Sequence, residues 1–269
     1  MTPESQTFDD GRLVLDVAGP VARITFNNPG RLNAMRLGMW SALGDICAAL
    51  ATPGDIRVVL LSGAGERAFV SGADISEFGA VRSGAAAVER YDAEVARAED
   101  GLSALPIPTL ARIRGHCVGG GLGIAVRCDL RVAATDARFA VTPAKLGLGY
   151  VPESVAALYR LLGPSVTADL LFTARQMDAE EALRTGLVNQ VVLPGALDAH
   201  CDDTAARIAA NAPLTIRAIK EALKACGTSR DPETFAAAAR LVEACCESDD
   251  YQEGQAAFAE KRAPRFTGT

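Results

Sequence analysis

Residues 109–123 read Thr109-Leu110-Ala111-Arg112-Ile113-Arg114-Gly115-His116-Cys117-Val118-Gly119-Gly120-Gly121-Leu122-Gly123. All of the first five but Arg112 are apolar or β-branched, and they follow Pro106 and Pro108, which end any helix before them, so they read as a strand. The glycine-rich run after them leads into a helix. A helix start offers unpaired N–H groups and partial positive charge. Glycine there lets the backbone approach a ligand closely. The same arrangement occurs upstream. Val58-Val59-Leu60-Leu61 is a continuous apolar run, as for a strand buried on both faces. Ala68-Phe69-Val70-Ser71-Gly72-Ala73-Asp74-Ile75 follows it. Each cluster alone also reads as a tight turn. Side by side, the two junctions would aim two N–H donors at one oxygen and stabilise an enolate or tetrahedral anion, by on the order of 3 kcal/mol per donor.

Outward from these junctions the first two thirds of the chain alternates strands and helices. Leu13-Val14-Leu15-Asp16-Val17 and Val21-Ala22-Arg23-Ile24-Thr25-Phe26 read as strands around a Gly19-Pro20 turn. A helix is predicted over 34–50, where Met35, Met39, Leu43, Ile46 and Leu50 share one face. A polar helical stretch covers 85–105. Strands return at Leu130-Arg131-Val132-Ala133-Ala134 and Arg138-Phe139-Ala140-Val141. From Glu153 the pattern is mostly helical, broken at Gly163-Pro164, Gly186, Pro194-Gly195 and Pro213, with one strand at 188–193. The expected fold class is therefore α/β with a C-terminal helical region.

Composition narrows the function. Of 269 residues, 49% are hydrophobic and 22% charged, an ordinary globular mixture that excludes a disordered or collagen-like chain. A net charge of -6 argues against a nucleic-acid partner, which calls for a basic face. Seven cysteines without a CxxC pair, and two histidines, give no familiar zinc spacing, so no metal site is expected. The polar, acidic start MTPESQTFDD has no apolar leader core, and no run of 18 apolar residues offers a membrane span. A cytoplasmic protein without a membrane partner is the expectation. The glycine cluster fails the dinucleotide pattern, because Val126 stands where the third glycine belongs. No P-loop and no G-x-S-x-G elbow occurs.

The ordered set of short motifs resembles the crotonase (enoyl-CoA hydratase/isomerase) superfamily over nearly the whole chain. It comprises Asn28-Pro29-Gly30-Arg31-Leu32-Asn33-Ala34-Met35, Ser71-Gly72-Ala73-Asp74-Ile75, Gly119-Gly120-Gly121 through Cys128-Asp129-Leu130-Arg131, and Lys145-Leu146-Gly147-Leu148. Leu171-Phe172-Thr173-Ala174, Glu181-Ala182, Gly186-Leu187-Val188-Asn189 and Ala257-Phe258-Ala259-Glu260-Lys261-Arg262 complete it. The resemblance implies a spiral of repeated ββα units. Residues 1–195 would form the core with an acyl-CoA site, and 196–269 a helical trimerisation region of a homotrimer or homohexamer. The substrate would be a coenzyme A thioester, with no other cofactor. The backbone N–H groups of Ala73 and Gly120 would hold the thioester oxygen. Arg31, Leu32, Ala34, Ala73, Asp74, Ile75, Cys117, Gly120, Pro143 and Leu146 would line the CoA and acyl channel, with Arg31 a partner for phosphate.

The chain departs from the hydratase pattern at both glutamates that handle water and its proton. Gly123 and Pro143 stand there, and neither moves a proton. Isomerase, lyase or decarboxylase chemistry is favoured over two-glutamate hydration. Two residues are candidate acid/base groups. Tyr150 matches a tyrosine of methylmalonyl-CoA decarboxylases, although those carry a histidine at the place of Ala73. Glu153 follows Pro152, as an aspartate follows a proline in some ring-isomerising relatives, although an ungapped match puts Val151 at that place. Tyr150 equally reads as a pocket-wall aromatic, and Glu153 as a first-turn carboxylate favoured by the helix dipole. Asp74 reads as a helix cap, His116 and Cys117 as packing on opposite strand faces, and Cys245-Cys246 as packing. The rival from another class is an acyl-CoA-binding protein that has lost catalysis.

Overall fold

The computed structural model describes residues 4–52, 54–227 and 232–269. An antiparallel meander opens the chain: β1 (Glu4–Phe8), β2 (Leu13–Ala18) and β3 (Val21–Phe26). Helix α1 (Leu37–Leu50) follows. Three turns of one pattern come next. The first is β4 (Val58–Gly63), β5 (Ala68–Val70), α2 (Phe78–Val81) and α3 (Ala85–Ala104). The second is β6 (Thr109–Ile113), β7 (His116–Val118) and α4 (Gly120–Arg127). The third is β8 (Leu130–Ala134), β9 (Arg138–Ala140), α5 (Pro143–Leu146) and α6 (Pro152–Thr173). Then come β10 (Gln176–Asp178), α7 (Ala179–Arg184), β11 (Gln190–Val192) and the helices α8 (Leu197–Ala209), α9 (Pro213–Gly227), α10 (Pro232–Cys246) and α11 (Asp249–Glu260).

Each turn gives its first strand to one sheet and its second to another. The large sheet has the order β1-β2-β3-β4-β6-β8-β11, and the small one β10-β9-β7-β5. From β3 to β11 the large sheet is parallel, and β5, β7 and β9 are parallel in the small one. This is a spiral of ββα units. Parallel strands covered on both faces need continuous apolar side chains, and β4 supplies five buried residues in a row. The main core joins α1, α3, α4 and both sheets through Phe26, Trp40, Phe69, Leu102, Ile113 and Phe139. Helix α8 closes the large sheet elsewhere, with Leu197 and Cys201 on Leu60 and Leu110, and Ala205 and Ala209 on Val58.

The structure corrects several readings. The helix predicted from residue 34 begins at Leu37, because Leu32 and Asn33 hold φ of 51° and 57° and Met35 stays extended to bridge Ala73. β5 and β10 are only three residues long, too short to show a period of two. Gly163-Pro164 does not end a helix but kinks α6, where Gly163 has φ 70°. That helix is long and apolar enough, at a mean hydropathy of 1.3, to match a membrane span, although no run of 18 apolar residues exists. The kink divides it, and Leu158, Leu162 and Leu170 face the core. Cys245 is half-buried and Cys246 exposed, so neither packs in the core.

Candidate active site

Strands β5 and β7 are neighbours in the small sheet, and each is followed within two residues by a glycine with positive φ: Gly72 at 110° and Gly119 at 54°. A side chain added at Gly119 would sit 3.6 Å from the Gly72 Cα, and one at Gly72 would sit 3.4 Å from the Val118 carbonyl oxygen. The two junctions therefore lie side by side, so close that a Cβ on either would be in van der Waals contact with the other. Ala73 and Gly120 come directly after these glycines. Around Ala73 the bridge bonds run from the Met35 N–H to the Gly72 carbonyl and from the Asp74 N–H to the Met35 carbonyl, both 2.8 Å, so the Ala73 N–H is skipped. Gly120 opens α4, where the first N–H groups have no helical acceptor. Among the described residues neither N–H donates to a backbone carbonyl. Gly120 must be glycine, because a Cβ there would stand 2.9 Å from the Trp40 ring.

The segment holding Arg31, Leu32 and Ala34 is stitched to the first junction. Ser71 donates its N–H to the Leu32 carbonyl at 3.1 Å, and its hydroxyl donates to the Arg31 carbonyl at 3.3 Å. Buried Asn33 fixes the loop: its Nδ2 donates to the carbonyls of Ala64 and Ala68 at 3.0 and 2.8 Å, and its Oδ1 accepts from the Asn28 N–H. Arg31 is exposed and forms no ion pair among the described residues. Ala34 is buried, Leu32 and Ala73 half-buried, and Ile75 is 63% exposed. Asp74 caps the short turn after it by accepting from the Ser76 N–H at 3.1 Å and its hydroxyl at 2.6 Å. Cys117, placed by resemblance in the channel, instead turns its side chain wholly into the core, as the inward residue of β7. Burial pushes its thiol well above the ordinary value, which leaves an inert thiol rather than a nucleophile. Half-buried His116 faces the other way. Pro143 is the first residue of α5 and half-buried; the side chain of Leu146 lies outside the described residues.

The two acid/base candidates part company. Tyr150 is half-buried against the core, and burial, with Glu99 adding to it, raises its phenol to about 12. Glu153 is exposed in the first turn of α6. The next residue, Ser154, turns inward and is buried.

Glu99 is the residue that sequence reading passes over. It lies on α3, 6% exposed, with its Oε2 accepting from the Arg127 Nη2 at 3.1 Å. Its Oε1 faces α4: a Cβ added at Gly123 would be 2.5 Å away. Burial raises its carboxyl above the usual range, against the lowering effect of Arg127. The signal was present. Tyr91, Val95, Ala98 and Leu102 form the inward stripe of an otherwise polar helix, and Glu99, four residues after Val95, falls within it. Among the described residues no three His, Cys, Asp or Glu side chains gather in a way that holds a metal ion.

Comparison with known proteins bears on the family and the fold. The profile of the Enoyl-CoA hydratase/isomerase family matches residues 16–269. The chain is 36% identical to an (E)-benzylidenesuccinyl-CoA hydratase of Thauera aromatica, over 95% of this chain and 99% of that protein. It is 33% identical to a short-chain-enoyl-CoA hydratase of Clostridium acetobutylicum, over 93% and 95%. A crystal structure described as an enoyl-CoA hydratase/carnithine racemase from Magnetospirillum magneticum superposes with a TM-score of 0.90 at 37% identity, covering 97% of each chain.

Proposed function

Because this chain belongs to the enoyl-CoA hydratase/isomerase family, as an acyl-CoA enzyme, we propose that it binds a coenzyme A thioester with its carbonyl oxygen between the N–H groups of Ala73 and Gly120 and stabilises the enolate formed next to it. The observation that carries this reading is the side-by-side placement of two glycine junctions, each followed by an N–H without a backbone acceptor. Donors fixed in place before the reaction need no reorganisation when negative charge develops on the oxygen, and the α4 N-terminus adds its dipole. The exposed Arg31 and the stretch through Ile75 carry the CoA portion, with the guanidinium available for phosphate.

Isomerase or lyase chemistry through the enolate is favoured over hydration by two glutamates. Gly123 and Pro143 occupy the two positions at which the hydratase pattern has glutamates. Tyr150 supplies a polar group to the reacting end. With a phenol raised to about 12 it stays protonated near neutral pH and acts as a donor, not a base.

The test is mass spectrometry of enoyl, dienoyl, saturated and malonyl-type CoA thioesters incubated with the protein in deuterated buffer. Deuterium at the α-carbon, a shifted double bond or loss of CO2 would support the reading. Net gain of water would overturn the preference against hydration. Binding of every thioester with no change in any would favour a binding protein.

A further inference from the structure

Helices α3, α4 and α6 bring a set of ionisable and hydroxyl groups together behind Gly120, and nothing above gives Glu99 or Arg127 a task. Glu99 comes from α3, Arg127 from the last turn of α4, and Ser154 from α6, with Tyr150 just before α6. The set is inside the protein: Glu99 and Ser154 are buried and the Arg127 side chain is 12% exposed. An ion pair placed here costs desolvation and replaces apolar packing that would serve stability as well. Its geometry is directed. Oε2 is held by Arg127, while Oε1 lies against α4 at the place where residue 123 would carry its Cβ. Gly123 is three residues after Gly120, so this oxygen lies about 4.5 Å further along the helix axis, on the same face. A thioester held at the Gly120 N–H therefore lies about one helical turn from the gap at Gly123. The absent side chain at Gly123 is what admits Glu99.

We propose that Glu99 is the proton-transferring carboxylate of this site, delivered from α3 through the gap at Gly123. This rests on the enolate reading above. Oε1 takes the proton from the α-carbon. The C–H electron pair becomes the Cα–C1 π bond, and the carbonyl π pair moves onto the thioester oxygen held by Ala73 and Gly120. The proton returns from Glu99 to the α-carbon or, in an unsaturated acyl chain, to the γ-carbon, so no other reactant is consumed. Arg127 holds the carboxylate in place. The carboxylate must be ionised to accept the proton. The groups that face it are Arg127, Tyr150 and the neighbouring Asp100. Burial raises its titration above the usual carboxylate range, so the acid limb of the reaction is displaced upward from that of a free carboxylate.

The experiment follows deuterium uptake from heavy water into but-3-enoyl-CoA and butyryl-CoA, beside their Kd. It uses the full chain, Glu99→Gln, and the double variant Glu99→Ala/Gly123→Glu, which returns a carboxylate to the same gap from α4. Glu99→Gln should slow uptake by about 100-fold or more with Kd little changed, and remove the acid limb. The double variant should recover part of the rate. If Glu99→Gln fails to fold, the double variant decides. Uptake in it supports the proposal, and its absence in a folded double variant overturns it. Undiminished uptake in Glu99→Gln overturns the role of Glu99 and leaves the enolate reading standing. No uptake by the unaltered protein, with thioester bound, overturns both.

Discussion

Three glycines decide the chemistry at the scale of single residues, each by what its missing Cβ would strike. At Gly120 it would press on Trp40, so Gly120→Val should shift the start of α4 and lower turnover by about 100-fold or more, the scale of one lost oxyanion donor. Steady-state rates on a responsive CoA thioester check this, and an unchanged rate would count against any role for the α4 N–H. At Gly121 the clash is with the Val70 backbone carbonyl, which cannot move aside, so Gly121→Ala is expected to cost about 1–3 kcal/mol in urea unfolding. At Gly123 the neighbour is a carboxylate. Tyr150→Phe keeps the ring and removes the donor, and should lower turnover by about 100-fold with binding intact. Because the phenol is raised to about 12, the rate should show no alkaline limb from Tyr150 below that pH.

At the scale of elements, the large sheet is tied to α9 by one buried cation. Lys220 is 6% exposed and donates to the Ile107 carbonyl and to Asp129 Oδ2, both at 2.7 Å. The same Asp129 oxygen accepts the Thr109 N–H at 2.7 Å and the Thr109 hydroxyl at 2.9 Å, at the start of β6. This single carboxylate oxygen thus sets the strand that leads into the second glycine junction. Asp129→Ala would leave Lys220 charged and unpaired in the interior, and we expect a loss of about 2–4 kcal/mol by chemical denaturation. Asp129→Asn should cost less, since the amide oxygen still accepts one of these bonds. Equal losses in the two variants would show that charge, not acceptor geometry, holds the junction.

At the scale of the whole molecule, the spiral buries a large core yet leaves big apolar side chains outside. Phe258 is 89% exposed, Phe172 82%, Leu193 70% and Leu223 66%. Large apolar side chains left this exposed are candidates for burial in an association surface. We expect a homotrimer or homohexamer, seen as three or six times the chain mass by light scattering. Phe258→Asp should shift that mass downward without changing the far-ultraviolet circular dichroism. A monomer at micromolar concentration would refute the expectation.

The sequence by itself determined the α/β class, the two strand-to-helix glycine junctions and the family. These rest on local rules: continuous apolar runs for buried parallel strands, glycine where the backbone turns, and helical periodicity in α1 and α3. It also placed Ala73 and Gly120 one after each glycine turn, since position along the chain is all that requires. It left open which acid/base group faces inward, because one residue of rotation at the start of α6 separates exposed Glu153 from buried Ser154. It set the start of α1 three residues early, because the tie from Met35 to Gly72 and Ala73 spans 37 or more positions. Only the tertiary structure brought Glu99 to Gly123. They lie 24 positions apart on different helices, and a missing side chain on one means nothing until the packing of α3 on α4 fills its space with a carboxylate from the other.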